Sequence, residues 1–453
     1  MQIAFHGATQ TVTGSRYLLS HGNRRVLVDC GLFQGYKHLR LKNWSRPAFE
    51  ARSIDAVLLT HAHLDHSGYL PLLVKSGFRG RIYATPGTVD LCRILLPDSG
   101  HLQEEQAQFA NRHGFSKHSP ALPLYTEADA HECLKHFEPV HFDKAMSPVP
   151  GMSSRMLRAG HLLGAASIRI EVEGTAIVFS GDLGRPDDPL MPAPADPPAA
   201  DYVVIESTYG DRLHADIDPQ AELGAAIRRA FDRNGVVLVP TFAVGRAQLL
   251  LLLIARLKAA GAIPDVPVYL DSPMAIDATQ ILQRFESEQR LSRLDVEAMH
   301  RLAQLIRSPE ESKALDRLRE PAIILAASGM ATGGRVVHHL KVFAPDARNL
   351  ILFAGFQAGG TRGASLVAGA KTIRIHGELF PVRAEVAQLG SASGHADANE
   401  LIDWLRRMPT APRRVFVTHG EPAAADALRH RIESQLRWNA SVPEYRDEFE
   451  LAG

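Results

Sequence analysis

The feature that most constrains this chain is six residues long. His61-Ala-His63-Leu-Asp65-His66 follows directly on the apolar run 56–59. A continuous apolar run of that length reads as a strand buried on both faces. Residues just past the carboxyl end of such a strand open into a crevice, the place where α/β folds bind ligands. A loop there can turn four metal-capable side chains inward. Imidazole nitrogen and carboxylate oxygen without thiolate suit zinc, and less selectively manganese or iron. A polar strand-to-helix loop with a capping aspartate is the plainer alternative. It accounts well for one His–Asp pair and poorly for four such residues within six.

The rest of the composition limits the setting. A chain of 453 residues is long enough for two or more domains. Lys plus Arg and Asp plus Glu stand at 50 each, so the formal net charge is zero. That balance argues against a polybasic membrane protein or a charged tail, yet leaves room for a local basic face. Cys30, Cys92 and Cys133 form no CxxC pair, so neither a disulfide framework nor a thiolate zinc site is expected. The N-terminus lacks the pattern of a secretory signal, and no apolar run is long enough to cross a bilayer. A reduced, cytoplasmic protein without a membrane partner is the expectation.

Compact strands are read at 3–5, 17–19 and 26–28, a helix over 88–113, and strands again at 168–172, 176–179 and 202–205, with a Pro-rich loop over 185–200. After Glu206 the texture changes. Helical stretches at 219–233 and 245–258 alternate with buried strands at 236–239, 268–270 and 323–326, as in a parallel α/β unit. The polar stretch 286–320 reads as helical and solvent-facing. From about 372 short strands return, followed by a helix near 399–407, a strand at 415–417 and a last helix. The expectation is one α/β domain, residues 1–207 and 373–453, interrupted by a second at 208–372.

THAHLDH resembles the HxHxDH signature of metallo-β-lactamase-fold hydrolases, and further residues match that family in chain order. Asp29 in LVDCG is similar to its early strand-end aspartate, which supports the metal site. His161 in AGHLLGAAS and Asp182 in FSGDLG are similar to its third metal histidine and its bridging carboxylate. The resemblance implies an αββα sandwich in which His61, His63 and His161 hold one zinc, Asp65 and His66 a second, and Asp182 both. Two such ions would lower the pKa of a shared water and stabilise charge on the attacked group.

The remaining motifs resemble one branch of that family, the β-CASP nucleases. Glu206-Ser-Thr-Tyr-Gly is similar to its motif A, Ser393-Gly-His395-Ala-Asp to motif B, and Thr418-His419-Gly-Glu to motif C. PTFAVGRAQ, DSPMA and SGMATGG are similar to segments of its inserted β-CASP α/β domain. By that resemblance His419 completes the second zinc site. His395 acts as general acid toward the leaving 3′ oxygen, with Glu206 orienting it and favouring its protonated form. Asp65 counts among the catalytic residues as well as the metal ligands. In the Gly-rich turn 328–335, Ser328, Gly329 and Arg335 are candidates for a phosphate contact, with a tight turn as the plainer reading. Arg246 and Arg362 read as solvated arginines, and His6, His338, His339 and His376 as structural or surface histidines.

The inserted region has only a small excess of basic residues, so RNA as substrate is implied by the resemblance, not by charge. The expected activity is zinc-dependent endonucleolytic hydrolysis of single-stranded RNA, leaving 5′-phosphate and 3′-hydroxyl ends. Manganese as the metal, DNA as substrate, exonuclease action and assembly into a homo-oligomer stay open. Two other readings compete: a hydrolase of small esters or thioesters, which has no need of Glu206, His395 or a long insertion, and a non-catalytic RNA-binding scaffold.

Overall fold

Alternating strand residues explain the first unit. In Gln2–Phe5, Tyr17–His21, Arg24–Val28 and Ala56–Leu58, every second side chain (Ile3, Phe5, Tyr17, Leu19, Val26, Val28, Ala56, Leu58) enters one core. Opposite them stand Met152, Met156, Ile168, Ile170, Ile177, Phe179, Val204 and Phe416 from a second sheet. Two sheets meeting face to face are held by this shared apolar layer. The computed structural model describes residues 1–114, 116 and 118–452.

Each sheet has seven strands. The first runs, edge to edge, Glu448–Glu450, Gln2–Phe5, Tyr17–His21, Arg24–Val28, Ala56–Leu58, Arg81–Ala84 and Phe137–Pro139. The second runs Ala440–Ser441, Arg414–Val417, Tyr202–Ile205, Thr175–Phe179, Ala166–Val172, Met152–Arg158 and Ala145–Met146. Each sheet contains a parallel section: Arg24–Val28 beside Ala56–Leu58 in the first, and Thr175–Phe179, Tyr202–Ile205 and Arg414–Val417 in the second. Val57 and Leu27 point away from the shared core and are still fully buried. The layers are those of the expected αββα sandwich.

The second unit, His214–Gly394, has a six-stranded sheet in the order Ala303–Leu305, Val268–Asp271, Ile323–Ala326, Val237–Pro240, Leu350–Ala354, Glu385–Leu389, with every neighbouring pair parallel. Helices such as Arg246–Ala259 and Arg335–Phe343 connect its strands. The unit is longer than the 208–372 expected from the change in texture. Glu385–Leu389 hydrogen-bonds along Leu350–Ala354, which ties residues past 372 to the inserted sheet. At the other end, the Arg212 carbonyl accepts from Ala398 N and Gly210 lies against Ala424, which keeps 208–213 with the first unit. The stretch 286–320 also departs from expectation: between helices Arg293–Leu302 and Pro309–Leu315 lies the strand Ala303–Leu305. Three residues, Ala-Gln-Leu, are too few for a period-2 signal to emerge from polar surroundings. Among the described residues no helix is long and apolar enough to cross a membrane.

Candidate metal centre

Parallel strands deliver the site. Asp29 leaves the end of Arg24–Val28, His61 that of Ala56–Leu58, Asp182 that of Thr175–Phe179, Glu206 that of Tyr202–Ile205, and His419 that of Arg414–Val417. Asp65 and His66 follow on the short helix Leu64–Ser67, and His161 lies between Met152–Arg158 and Ala166–Val172. The first unit thus gathers chain positions 29 to 419 at the carboxyl ends of its strands. Asp29 and His419 take left-handed backbone angles, φ 59° and 51°. Such conformations cost about 1–3 kcal/mol each and persist where the surroundings over-determine them.

Two donor clusters share one carboxylate. In the first, His63 Nδ1 lies 3.2 Å from both His61 Nε2 and His161 Nε2, and Asp182 Oδ2 stands 3.4 Å and 3.7 Å from those two Nε2 atoms. In the second, His66 Nε2 and His419 Nε2 are 3.1 Å apart, Asp65 Oδ2 is 3.4 Å from His419 Nε2, and Asp182 Oδ1 is 3.2 Å from His66 Nε2. Glu206 joins Asp182 and His419 in a third grouping of close donors.

The chemistry of this donor set fits a metal. At most one hydrogen can occupy the line between two facing imidazole nitrogens, so three rings converging on one point cannot satisfy one another by hydrogen bonds. Lone pairs from three imidazoles and a carboxylate can all be satisfied by a cation at their focus. Electrostatics keep those lone pairs available: burial pushes His63 down to about 4 and His61 well below the ordinary imidazole value. His66 differs. Burial alone would lower it, but the carboxylates of Asp182 and Asp29 outweigh burial and raise it.

Asp29 does not face the donors' focus. Its Oδ2 lies 2.7 Å from His66 Nδ1 and accepts from Thr60 Oγ1 at 2.8 Å, while Oδ1 accepts from Thr60 N at 2.8 Å. It fixes the imidazole's rotation and leaves Nε2 to the cluster. Outer carboxylates of this kind are worth about 10–100-fold in metal affinity. Asp29→Asn should therefore weaken metal retention on the Asp65–His66–His419 side by that order, read by competition against a chelator. Unchanged retention would remove Asp29 from the site.

His395, from the loop ahead of helix Ala398–Arg406, places Nδ1 3.1 Å from both carboxylate oxygens of Glu206 and 4.0 Å from Asp182 Oδ2. Glu206 is held in turn: Oε1 accepts from Leu183 N at 2.7 Å and Oε2 from Thr208 N at 3.3 Å. Its side chain is 1% exposed and that of His395 16%, so His395 is the open end of the pair.

Sequence reading missed Thr208 and Thr60. Thr208 Oγ1 lies 3.1 Å from His419 Nδ1 and orients that ring, as Asp29 orients His66. Position beside Glu206 and beside His61 was the only available signal. The phosphate candidates of the second unit come out differently. Arg335 Nη1 donates to Asp271 Oδ1 at 2.7 Å and to the Ile306 carbonyl at 3.1 Å, and Nη2 to the Arg307 carbonyl. The cause is Asp271, fully buried and bonded as well by Ser312 Oγ and by His339, which needs a countercharge. Ser328 Oγ accepts from Thr332 N and closes the turn. Gly329 packs on Phe242, where a Cβ would come within 2.5 Å. Arg246 and Arg362, read as solvated, donate instead to backbone carbonyls, of Ala392 and of Arg374, Ala331 and Thr332.

A sandwich carrying paired His/Asp clusters at its strand ends defines a metal-dependent hydrolase. Three family descriptions match in chain order: a β-lactamase superfamily domain over residues 24–239, a β-CASP domain over 247–366, and a Zn-dependent metallo-hydrolase RNA specificity domain over 380–443. A ribonuclease of Thermus thermophilus is 40% identical over 98% of this chain and 100% of its own length. From Methanocaldococcus jannaschii, the transcription termination factor FttA is 33% identical over 96% of this chain and 70% of its own, and an RNase J-like protein is 31% identical over 97% of each. A solved structure from Enterococcus faecalis, titled as a protein of unknown function, shares the fold at 13% identity, with a TM-score of 0.52 over 99% of each chain. The chain belongs to the β-CASP family of metallo-β-lactamase-fold hydrolases.

Proposed function

We propose that this enzyme is a two-metal ribonuclease that cuts single-stranded RNA internally and leaves 5′-phosphate and 3′-hydroxyl ends. The observation that carries the reading is the His395–Glu206 pair standing beside two donor clusters that share Asp182. The relatives named as ribonucleases and the RNA specificity description support RNA as the polymer.

His61, His63, His161 and Asp182 would hold one cation, and Asp65, His66, His419 and Asp182 the other. The all-nitrogen and oxygen donor set favours zinc, with manganese second. Bound there, the pair supplies Lewis-acid charge stabilisation and an acidified water. The chain's own part is proton placement. With Nδ1–H donated to Glu206, His395 can carry its second proton on Nε2 and deliver it to the 3′ oxygen as the phosphorus–oxygen bond breaks and phosphorus takes an oxygen from water. An alkoxide leaves poorly, and a positioned acid contributes about 10²–10⁴-fold. A small ester hydrolase would have no use for such a pair. A cytoplasmic setting, in keeping with three free, buried cysteines, belongs to the same reading.

Metal-quantified protein should be incubated with single-stranded RNA and DNA labelled at either end. Internal RNA fragments bearing 5′-phosphates are expected. Stepwise release of mononucleotides would overturn the endonucleolytic mode, and intact RNA in the presence of metal-loaded protein would overturn the ribonuclease itself.

A further inference from the structure

Between strand Arg24–Val28 and the turn Ala51–Ser53 lies a segment that the metal centre does not explain. Its helix, Lys37–Lys42, has no buried residue, although helices this short are ordinarily stable only through packing. Tyr36, Leu41 and Trp44 are 50%, 54% and 59% exposed. Residues 33–49 contain Lys37, Arg40, Lys42 and Arg46 and no acid, in a chain whose charges cancel overall. Among the described residues Lys37 and Arg40 have no ion-pair partner. Arg46 meets only the exposed Glu50, at 3.1 Å, and Lys42 lies over the rings of Tyr445 and Phe33 at 4.2 Å and 5.2 Å. Tyr36 and His38 stack at 5.7 Å with an 18° interplanar angle.

This exposed segment is firmly mounted. Asn43 accepts from Phe33 N at 2.9 Å, donates to the Phe33 carbonyl at 2.8 Å, and receives Arg16 Nη2 at 3.4 Å. Arg16, itself buried, donates to the Gly31 carbonyl through Nε and Nη2 at 3.0 Å and 2.7 Å. The stem is bonded to the metal loop: Cys30 N donates to the His66 carbonyl at 2.7 Å and Leu32 N to the Leu64 carbonyl at 2.8 Å. Four residues carry the chain from Leu32 to Tyr36, a reach of at most about 14 Å.

Single-stranded nucleic acid is bound by surfaces of this kind, where bases stack on exposed rings and cations follow the phosphates. We propose that Tyr36 and Trp44, with Lys37 and Arg40 between them, form a docking platform on which the RNA strand stacks and tracks as it runs to the metal centre. The platform rests on the ribonuclease reading. An anionic lipid surface is the poorer fit, because six helical residues offer little apolar face to sink into a bilayer.

The full-length, metal-loaded enzyme and two surface variants, Tyr36→Ala/Trp44→Ala and Lys37→Ala/Arg40→Ala, test it on a long single-stranded RNA and on bis(p-nitrophenyl) phosphate. The aromatic variant should raise KM for RNA about tenfold or more, the scale of lost base stacking. The cationic variant should flatten the dependence of log KM on log salt by about 0.7 per charge removed. In both, kcat on RNA, metal content and hydrolysis of the small diester should stay at wild-type levels. An RNA KM and salt slope equal to wild type in both variants would overturn the platform, as would variants that lose only binding to phosphatidylglycerol vesicles. A wild-type enzyme that hydrolyses the small diester and leaves RNA intact would instead sink the ribonuclease reading, and the platform with it.

Discussion

Asp182→Asn is expected to remove at least one metal ion per chain and lower RNA cleavage by about 10³-fold or more. The carboxylate is the one group common to both donor clusters: Oδ2 faces His61 and His161, and Oδ1 faces His66. Burial alone would raise its pKa, but the imidazoles of His419, His66 and His61 hold it well below the usual carboxylate range, so it is a full negative charge. Asparagine keeps the shape and loses that charge. It can offer its remaining oxygen to one cluster only, and its NH₂ then points at lone pairs in the other. Two metals working on one phosphate supply several kcal/mol of charge stabilisation, and each 1.36 kcal/mol is tenfold in rate. Elemental analysis and steady-state cleavage read the two effects separately. Two ions retained with wild-type turnover would show that Asp182 bridges nothing.

How much of this site the sequence disclosed depended on how locally each residue's role is set. His61, His63, Asp65 and His66 were legible because all four lie in one loop after one apolar strand. Asp182 and His161 gained meaning only in order after that cluster, and His395 and His419 only by resemblance to family motifs. Nothing near position 419 announces that its ring will lie 3.1 Å from His66, 353 residues earlier; parallel pairing of Tyr202–Ile205 with Arg414–Val417 brings it there. Asp29 was legible by resemblance, but the threonines that orient the ligands were illegible for the same reason. A threonine at 208 looks like any other until His419 arrives beside it. Arg335 shows the converse case. Its Gly-rich turn has the local look of a phosphate loop, but the buried Asp271 that claims its guanidinium lies 64 residues away. The strands of the sandwich were readable as compact apolar stretches and the sandwich itself by resemblance, whereas the limits of the inserted unit depend on which sheet an edge strand such as Glu385–Leu389 joins.

His395→Ala should lower kcat on RNA by about 10²–10⁴-fold while leaving metal content and KM near wild type. Its Nδ1 contacts run to Glu206 at 3.1 Å and only distantly, at 4.0 Å, to Asp182, so removing the ring takes away no donor from either cluster. Loss of rate alone would not distinguish an acid from a residue that merely shapes the site; the leaving group does. A ribose 3′ oxygen departs as a strong base and needs a proton in the transition state. A p-nitrophenolate is stable without one. The defect of His395→Ala should therefore collapse when the same enzyme is assayed on bis(p-nitrophenyl) phosphate. Glu206→Gln should follow the same pattern with a smaller loss on RNA, because the neutral amide still accepts from Nδ1 but no longer favours the charged ring. Equal losses on RNA and on the aryl diester would assign His395 to positioning the substrate. Loss of metal in His395→Ala would make it a ligand, and the proton would have to come from elsewhere.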